Sequence, residues 1–216
     1  MCGRFTLTAS GDEVAEAFGL DEPPGLEPRY NIAPSQDVAV VVAGDGGRRR
    51  LDIRRWGFFS AGATGGRPLI NARAETAWSR PQFREAFTRR RCLLPADGFF
   101  EWAVVAGASR KTPYHLRLRE GGLFGLAGIW EPSAEGRGTC AILTTEPTDV
   151  VLAIHDRMPV IIPRWAYGTW LDPTRGRGAL SALLRPFVDE PLEAVAVALA
   201  VNDAGFDGPI CIRPAS

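Results

Sequence analysis

The second residue of the chain, Cys2, stands directly behind the initiator methionine in the sequence MCGRF. If Met1 is removed, one residue carries both a thiol and a free α-amine. The amine titrates at about pH 8, so a useful fraction is uncharged at neutral pH and can attack a carbonyl. With an aldehyde it forms an imine, onto which the tethered thiol closes to give a five-membered thiazolidine. Cys2 is therefore either an aldehyde trap or a small residue that begins a strand.

Three further side chains have chemistry that could assist such a reaction. His155, in AIHDRMP, could move protons near neutral pH or could be a structural histidine bonded to its neighbours. Aromatic residues flank Glu101, and burial among them would raise its pKa and make it a general acid or base, although strand alternation also allows a solvent-facing position. Asn71 offers donors and an acceptor without charge, which suits the orientation of a carbonyl or an amine, but asparagine is also common in turns.

Arginines accompany these candidates. Arg4, Arg73 and Arg157 each lie within two residues of one of them, and this clustering predicts a pocket lined by phosphate-binding groups. Arg73 also alternates with Glu75, so these two side chains could simply pair. The second histidine, His115, alternates with apolar residues and is expected on the face of a sheet.

Short strands must position these residues. Apolar or alternating runs separated by turn residues predict eight of them: DVAVVV, RLDIRRW, RCLLP, GFFEWA, PYHLRL, LFGLAGIW, CAILTT and AVAVALAV. The sequence also predicts a few short helices. SGDEVAEAFGL has a capping box and a glycine at its end, and SRPQFREAF repeats the pattern from Ser79. Further short helices are expected at 148–153, 164–170 and 178–187. We predict an α+β fold with a mainly antiparallel, curved or barrel-like β-sheet and short flanking helices.

The chain has no long linker or repeat, so a single domain is expected over residues 1–216. The glycine-rich segment 60–68 predicts a flexible surface loop, and GDGGRRR at 44–50 predicts a hairpin turn that leads into a basic strand.

Composition narrows the class of function. The 25 basic and 25 acidic residues balance, which argues against bulk attraction to nucleic acid but allows a local basic cleft. The four cysteines form no C-x-x-C pair, so we expect neither a zinc site nor a disulfide framework, and no cofactor; Cys92 and Cys140 are interpreted as buried core thiols. The sequence shows no apolar run that indicates a membrane span and no pattern typical of a signal peptide. We therefore expect a soluble, cytoplasmic protein.

An ordered set of motifs resembles the SRAP family, the SOS response-associated peptidases, which include abasic-site shielding proteins. The motifs span nearly the whole chain and are MCGRF, PRYNIAP, RRWGF, NARAET, RRCLLPADGFFEW, LAGIWE, ILTTEP and IHDRMPVII. After Trp56 the chain departs from the family pattern, because WGFFSAGATGGRP lacks the usual proline and second tryptophan.

The resemblance implies a reaction and its catalytic residues. Met1 would be removed, with self-processing as one route, and Cys2 would crosslink to the ring-opened aldehyde of an abasic site in single-stranded DNA through a thiazolidine. Asn71 would orient the sugar and the cysteine. Glu101 would be the acid and base of imine formation and reversal, and His155 would donate the proton that opens the deoxyribose.

The resemblance also implies contacts with DNA. Arg4, Arg73 and Arg157 would hold phosphates beside the lesion, while Trp56 and Phe58 would offer a surface on which neighbouring bases stack. The partner would be single-stranded DNA that contains abasic sites, with no membrane partner, and the protein would be a monomer that associates with the nucleoid when bound to DNA.

Three other functions remain open at this level. An N-terminal-nucleophile amidotransferase would use the α-amine of Cys2 as base and its thiol against an amide, but it leaves HDRMP and GFFEW without a role. A thiol peptidase would pair Cys2 with His155. A noncatalytic DNA-binding module would not need Cys2 at all.

Overall fold

Strands dominate the computed structural model, which describes residues 2–59, 68–105, 107, 110–133 and 136–215. Of the loop predicted at 60–68, all but the last residue lies outside the described residues. All eight strand-like runs contain a strand. In chain order the strands are β1 (Phe5–Leu7), β2 (Arg29–Ile32), β3 (Asp37–Ala43), β4 (Arg49–Trp56), β5 (Asn71–Arg73), β6 (Arg91–Ala96), β7 (Gly98–Ala103), β8 (Thr112–Leu118), β9 (Phe124–Ser133), β10 (Gly136–Thr145), β11 (Met158–Pro159), β12 (Ile161–Ile162) and β13 (Leu192–Ala196).

Within the described residues, five strands close into a barrel. The order around the ring is β4, β3, β6, β9 and β10, and β10 returns to β4. Neighbouring strands are antiparallel except β10 and β4, which are parallel. β5 pairs in parallel with the later part of β10, beyond the residues that pair with β4, and β11 pairs with the same end of β10. The prediction of a curved or barrel-like, mainly antiparallel sheet in an α+β fold is confirmed.

The apolar runs supply the core. Leu93, Leu94, Ile129 and Ile142 are fully buried, as expected for strands that read as continuous apolar segments. Cys92 and Cys140 are buried in the same cluster, which confirms their interpretation as core thiols. Burial raises the pKa of both thiols, so neither is prepared for nucleophilic chemistry.

A second, antiparallel sheet has the strand order β13, β8, β7, β1 and β2. Phe99 on β7 belongs to the main core, while the next residue, Phe100, packs with Val197 and Cys211 from the C-terminal part of the chain. The two faces of β7 therefore cover different clusters, as the period of two in a strand requires. Glu101 shares the face of Phe99, so the strand turns it toward the main core.

The run AVAVALAV at 194–201 forms a strand only in its first part. The last residue of β13, Ala196, pairs with Tyr114 near the beginning of β8, so the partner strand offers few further positions. The chain then turns into a short 3₁₀ helix, Leu199–Asn202. The strand β13 therefore ends close to the point where its partner strand β8 begins.

The first helix, α1 (Gly11–Phe18), begins as the sequence predicts. The Ser10 side chain accepts from the backbone of Glu13, and the Glu13 carboxylate accepts from the backbone of Ser10, which completes the capping box. Gly19 ends the helix in the left-handed region at φ 65°, where a side chain would be strained.

The remaining helices are short: α2 (Ala74–Ala77), α3 (Pro81–Arg89), α4 (Asp149–Leu152), α5 (Tyr167–Leu171) and α6 (Arg177–Ser181). The prediction that Ser79 starts the second helical motif is wrong. Arg80 holds the capping position because Pro81 occupies the first helical position, where its missing N–H costs nothing. The Ser79 hydroxyl donates instead to Thr76 O at the end of α2. No helix among the described residues reaches the length and apolarity that a bilayer crossing needs.

Candidate active site around Cys2

Cys2 lies buried ahead of β1, with its backbone held by Asn71. The Nδ2 of Asn71 donates to the carbonyl oxygen of Cys2 over 2.9 Å, and the Cys2 thiol lies 3.7 Å from Arg4 O. Asn71 owes its place to β10, because it opens β5 opposite Ile142. Strand β5, which pairs with the barrel strand β10, therefore holds the residue that precedes β1 of the other sheet.

Asn71 still has bonding capacity at this point. Its Oδ1 is buried and has no hydrogen-bond partner among the described residues. A buried acceptor without a donor costs free energy, and such atoms in native structures call for an explanation. A hydroxyl or an amine that binds beside Cys2 would satisfy it.

Glu101 approaches Cys2 from β7. Its side chain is only 3% exposed, and burial raises its pKa to about 7. The pKa of the Cys2 thiol is also raised, mainly by burial and next by the charge of Glu101, which shows that the two groups are neighbours. At neutral pH the thiol is therefore protonated, while Glu101 exists in both forms and can give or take a proton.

His155 completes the group from the loop before β11. Its Nε2 lies 4.0 Å from Oε2 of Glu101. The backbone N–H of Arg157 donates to its Nδ1 over 3.0 Å, so in the neutral ring the proton sits on Nε2, on the side of Glu101. Burial lowers the pKa of His155, which favours this neutral form.

The predicted catalytic residues are thus brought together from four parts of the chain: Cys2 before β1, Asn71 on β5, Glu101 on β7 and His155 before β11. The arrangement combines a thiol, an amide bonded to the backbone of the same cysteine, a carboxyl with a pKa of about 7 and an imidazole with a proton on Nε2. Within the described residues, no group of three or more metal-binding side chains is present.

The three arginines have different surroundings. Arg4 donates from Nη1 to Asn31 Oδ1 over 2.8 Å and to Val201 O over 2.6 Å, so it ties β1 to the C-terminal segment. Arg73 is exposed. It borders a groove of about 270 Å³ that also contains Asn71 and Arg80. Of the three, Arg73 is the one most available to a phosphate.

Arg157 makes an ion pair that the sequence pattern assigned differently. The carboxylate of Glu75 accepts two parallel hydrogen bonds from its guanidinium, 2.8 and 2.9 Å long. The suggested pairing of Glu75 with Arg73 is therefore replaced by a pairing across 82 residues. Alternation along a short strand could not show this, because the loop with Arg157 comes close only in the folded protein.

The prediction that Trp56 and Phe58 offer stacking surfaces to bases is wrong for this structure. Trp56 is 0% and Phe58 1% exposed. The indole N–H of Trp56 donates to Ile70 O over 2.9 Å, and the Phe58 ring packs on Phe83. Both rings belong to the core because β4 ends against it, so neither has a free face.

Two charged residues near the site escaped the sequence analysis. Burial is the main influence on the pKa of Glu101 and raises it. The negative charge of Asp156 raises this pKa further, and the positive charge of Lys111 lowers it. Lys111 is the only lysine of the chain. Asp156 could have been found by its position beside His155, but nothing in the sequence near Lys111 indicates its proximity.

A larger cavity lies elsewhere. It has a volume of about 510 Å³ and is bordered by Asp97, His115 and Arg117, and none of the four predicted catalytic residues lines it. Cavity size alone would therefore have directed attention to another part of the molecule. The convergence of reactive groups at Cys2 carries more information about chemistry than volume does.

Comparison with known proteins bears on this site. The model of the family described as SOS response associated peptidase (SRAP) matches residues 1–204. The chain is 38% identical to Abasic site processing protein YoqW of Bacillus subtilis over 99% of both chains. It is 32% identical to Abasic site processing protein YedK of Escherichia coli over 79% of both.

Solved structures agree in fold. A protein from Bacteroides thetaiotaomicron superimposes with a TM-score of 0.84 at 23% identity over 100% of both chains. A protein from Bordetella bronchiseptica gives a TM-score of 0.78 at 26% identity, over 92% of this chain and 100% of the other. With a family model that covers nearly the whole sequence and relatives of this similarity, the chain belongs to the SOS response associated peptidase family.

Proposed function

We propose that this protein processes abasic sites in single-stranded DNA by capturing the lesion covalently on Cys2 after Met1 has been removed. The observation that carries the proposal is the meeting of Cys2 with Asn71, Glu101 and His155, which the sequence separates widely. The names of the relatives, abasic site processing proteins, support the same substrate.

The reaction begins with the sugar. An abasic deoxyribose is mostly a closed hemiacetal. The Nε2–H of His155 gives a proton to the ring oxygen as the bond from C1′ to that oxygen breaks, and the proton of the C1′ hydroxyl passes through the Glu101 carboxylate back to Nε2, which leaves an aldehyde at C1′. The uncharged α-amine of Cys2 adds to that carbon, and the C=O bond becomes C–OH. Glu101 in its protonated form gives a proton to this hydroxyl and water leaves; the nitrogen then returns one proton to Glu101, and a neutral imine remains.

The thiol completes the capture. Its sulfur bonds to the imine carbon, the C=N bond becomes a C–N bond, and the thiol proton ends on the nitrogen. The overall change is loss of one water and formation of a thiazolidine. The raised pKa of the buried Cys2 thiol suits this order, because the sulfur stays protonated and unreactive until the imine is next to it.

Selectivity follows from reactivity. An intact nucleotide presents no aldehyde, so it forms no bond even when it enters the site. Arg73 and the groove beside Asn71 are proposed to guide the strand, and a chain of zero net charge needs few phosphate contacts when a covalent bond holds the product. Arg4 and Arg157 would act mainly by positioning the groups around them.

Release of Met1 is proposed to be the peptidase activity of the same site. The Cys2 thiol would attack the carbonyl of Met1, and the bond from that carbonyl to the Cys2 nitrogen would break to leave a thioester. Water would then hydrolyse the thioester, free methionine and restore the thiol, with Glu101 and His155 carrying the protons. No substrate other than water is required for this event. Proteins with Glu101→Gln are expected to retain more Met1, which intact mass measures directly.

Intact mass spectrometry tests the proposal. The processed protein is mixed with a single-stranded oligonucleotide that contains one abasic site, and the expected product has the summed mass minus one water. The same oligonucleotide without the lesion should give no adduct, and a form with an uncleavable N-terminal extension should give none either.

Cys2→Ala is the matched control once an aminopeptidase has removed its Met1 and intact mass has verified the removal, because it then keeps the α-amine of residue 2 and loses the sulfur. It should give an adduct only when borohydride traps the imine. A heat-stable adduct from Cys2→Ala without reduction, or equal crosslinking by the extended form, would refute the proposed chemistry. Steady ammonia release from glutamine would instead favour an amidotransferase.

A further inference from the structure

The ion pair of Glu75 and Arg157 joins two parts of the site. Glu75 lies on α2, directly after the strand that carries Asn71, and Arg157 lies in the loop that carries His155. The Arg157 side chain is 16% exposed, and besides its two bonds to Glu75 its guanidinium donates from Nη2 to Thr144 O over 2.6 Å. Parallel hydrogen bonds between a guanidinium and a carboxylate are among the stronger ones in proteins, so this contact fixes the side chain of Arg157.

Two neighbours of His155 favour opposite protonation at its Nδ1. The backbone N–H of Arg157 lies 3.0 Å away and needs an unprotonated nitrogen as acceptor. Oδ1 of Asp156 also lies 3.0 Å away, and a carboxylate favours an N–H at the same atom. A neutral imidazole carries one proton, so the two contacts cannot both be satisfied.

We propose that Glu75 is a positioning residue that decides this competition. By holding the Arg157 side chain, Glu75 keeps the Arg157 backbone N–H against Nδ1 of His155, and the ring proton therefore stays on Nε2. When the ion pair of Glu75 and Arg157 is removed, the loop relaxes. The ring proton of His155 then moves from Nε2 to Nδ1, where it forms a hydrogen bond to the Asp156 carboxylate. The ion pair thereby controls a group to which neither Glu75 nor the guanidinium is bonded.

The consequence lies on the reactive side of the ring. Nε2 faces Glu101 at 4.0 Å, so a proton there can be passed to a bound sugar and replaced from Glu101. A ring with a bare Nε2 would have no proton to donate at that position. The effect on crosslinking rests on the proposed function, whereas the effect on the tautomer does not.

Nitrogen-15 NMR of the imidazole rings tests the tautomer directly. The chain has only two histidines, so His155 and the buried His115 can be separated and assigned with one variant. The wild type should show a neutral His155 with the proton on Nε2. Glu75→Gln should move a measurable population to the Nδ1–H form, and Glu75→Gln combined with Asp156→Ala should return it to Nε2–H, because the competing acceptor is gone.

Controls separate this from a general effect. Glu146→Gln removes one exposed negative charge at the end of β10 and should leave both rings unchanged. An unaltered His115 signal in each variant shows that the fold is intact. If His155 keeps the wild-type tautomer in Glu75→Gln while the Arg157 contact is lost, the proposal is overturned.

Kinetics give the second readout. At saturating abasic DNA, Glu75→Gln should slow crosslinking about tenfold, part of what a general acid provides, with DNA affinity changed by less than about threefold. A loss confined to affinity would mean that Glu75 acts on strand binding, and an unchanged rate would equally refute the role. If the wild type forms no adduct, the proposed function fails, while the NMR result still decides the tautomer.

Discussion

The protein places a carboxylate near a histidine twice around its N-terminal strand, and the two pairs have opposite properties. Glu101 and His155 lie 4.0 Å apart beside Cys2. On the other side, Asp97 accepts from the hydroxyl of Thr6, whose oxygen lies 3.1 Å from His115 Nε2. The same residue types thus form a reactive group in one region and a structural network in the other.

The two carboxyl groups have different surroundings. Besides Thr6, the Asp97 carboxylate accepts from the backbone N–H and the hydroxyl of Thr8, and these bonds tie β1 to the turn before β7. For Glu101, burial is the largest influence and raises the pKa to about 7. A carboxyl group near its titration point can transfer protons, whereas the Asp97 carboxylate holds neighbouring segments together through its hydrogen bonds.

Exchanging each carboxylate for an amide should separate the two regions most clearly. Glu101→Gln is expected to slow crosslinking by about a thousandfold, within the range for loss of an acid–base group, and to leave the melting temperature equal or higher. Asp97→Asn should lower the melting temperature, since it weakens the bonds to Thr6 and Thr8, and slow crosslinking only a few fold. Rates should be compared on protein whose Met1 removal is verified by mass. Equal losses of rate in both variants would abolish the distinction.

A second change tests how tightly the structural network is packed. A Cβ built on Gly98 would lie 1.9 Å from Nε2 of His115. Gly98→Ala should therefore force apart β7 and β8 and destabilise the fold by about 3 kcal/mol, as overpacking does in a rigid core. Denaturant unfolding measures this loss. Gly107→Ala tests the strain of a left-handed glycine without such a clash, because in the part of the chain that the structure describes no atom lies within 4 Å of the new Cβ. A stability loss at Gly98 no larger than at Gly107 would show that the His115 region can adapt.

The pH dependence of stability should have opposite signs in the two regions. Glu101 has a pKa of about 7 in the folded state against an ordinary 4.5, so its contribution is present below about pH 4.5 and is lost as pH rises through 7. Burial lowers the pKa of His115 from 6.5 to about 4, so its contribution is present above about pH 6.5 and is lost as pH falls through 4.

The contribution of each group to the free energy of unfolding is expected to be on the order of 2 kcal/mol. This effect is smaller than those expected for the carboxylate exchanges and for Gly98→Ala. Chemical denaturation at a series of pH values measures it. Relative to the wild type, Glu101→Gln should gain stability between pH 5 and pH 8, and His115→Gln should lose less stability on acidification. Parallel curves for the wild type and either variant would show that the group in question does not titrate as its burial requires.

Much of the fold was accessible from residue patterns. The strand-like runs, the capping box at Ser10 and the buried thiols of Cys92 and Cys140 all follow from local rules of periodicity and capping. The errors came where one residue had two locally acceptable positions. Trp56 at the end of a strand could face solvent or core, and only packing against Ile70 placed it inside.

The candidate site divides in the same way. Cys2, Glu101 and His155 could be selected from the sequence by their chemical reactivity. A thiol next to the first residue, a carboxyl among aromatic residues and a histidine are each rare in this chain. Their partners could not be read in advance. The pairing of Glu75 with Arg157 and the influence of Lys111 both join residues that are distant along the chain.

The sequence by itself determined which atoms can react, because the nucleophilicity of an N-terminal cysteine and the periods of strands and helices are properties of residues and their nearest neighbours. Only the tertiary structure decided which of those atoms meet and with what charge. Burial, the direction of a donor such as the Arg157 N–H and the choice of ion-pair partner arise when strands from separate parts of the chain pack together. These long-range contacts set the pKa of Glu101 and the tautomer of His155.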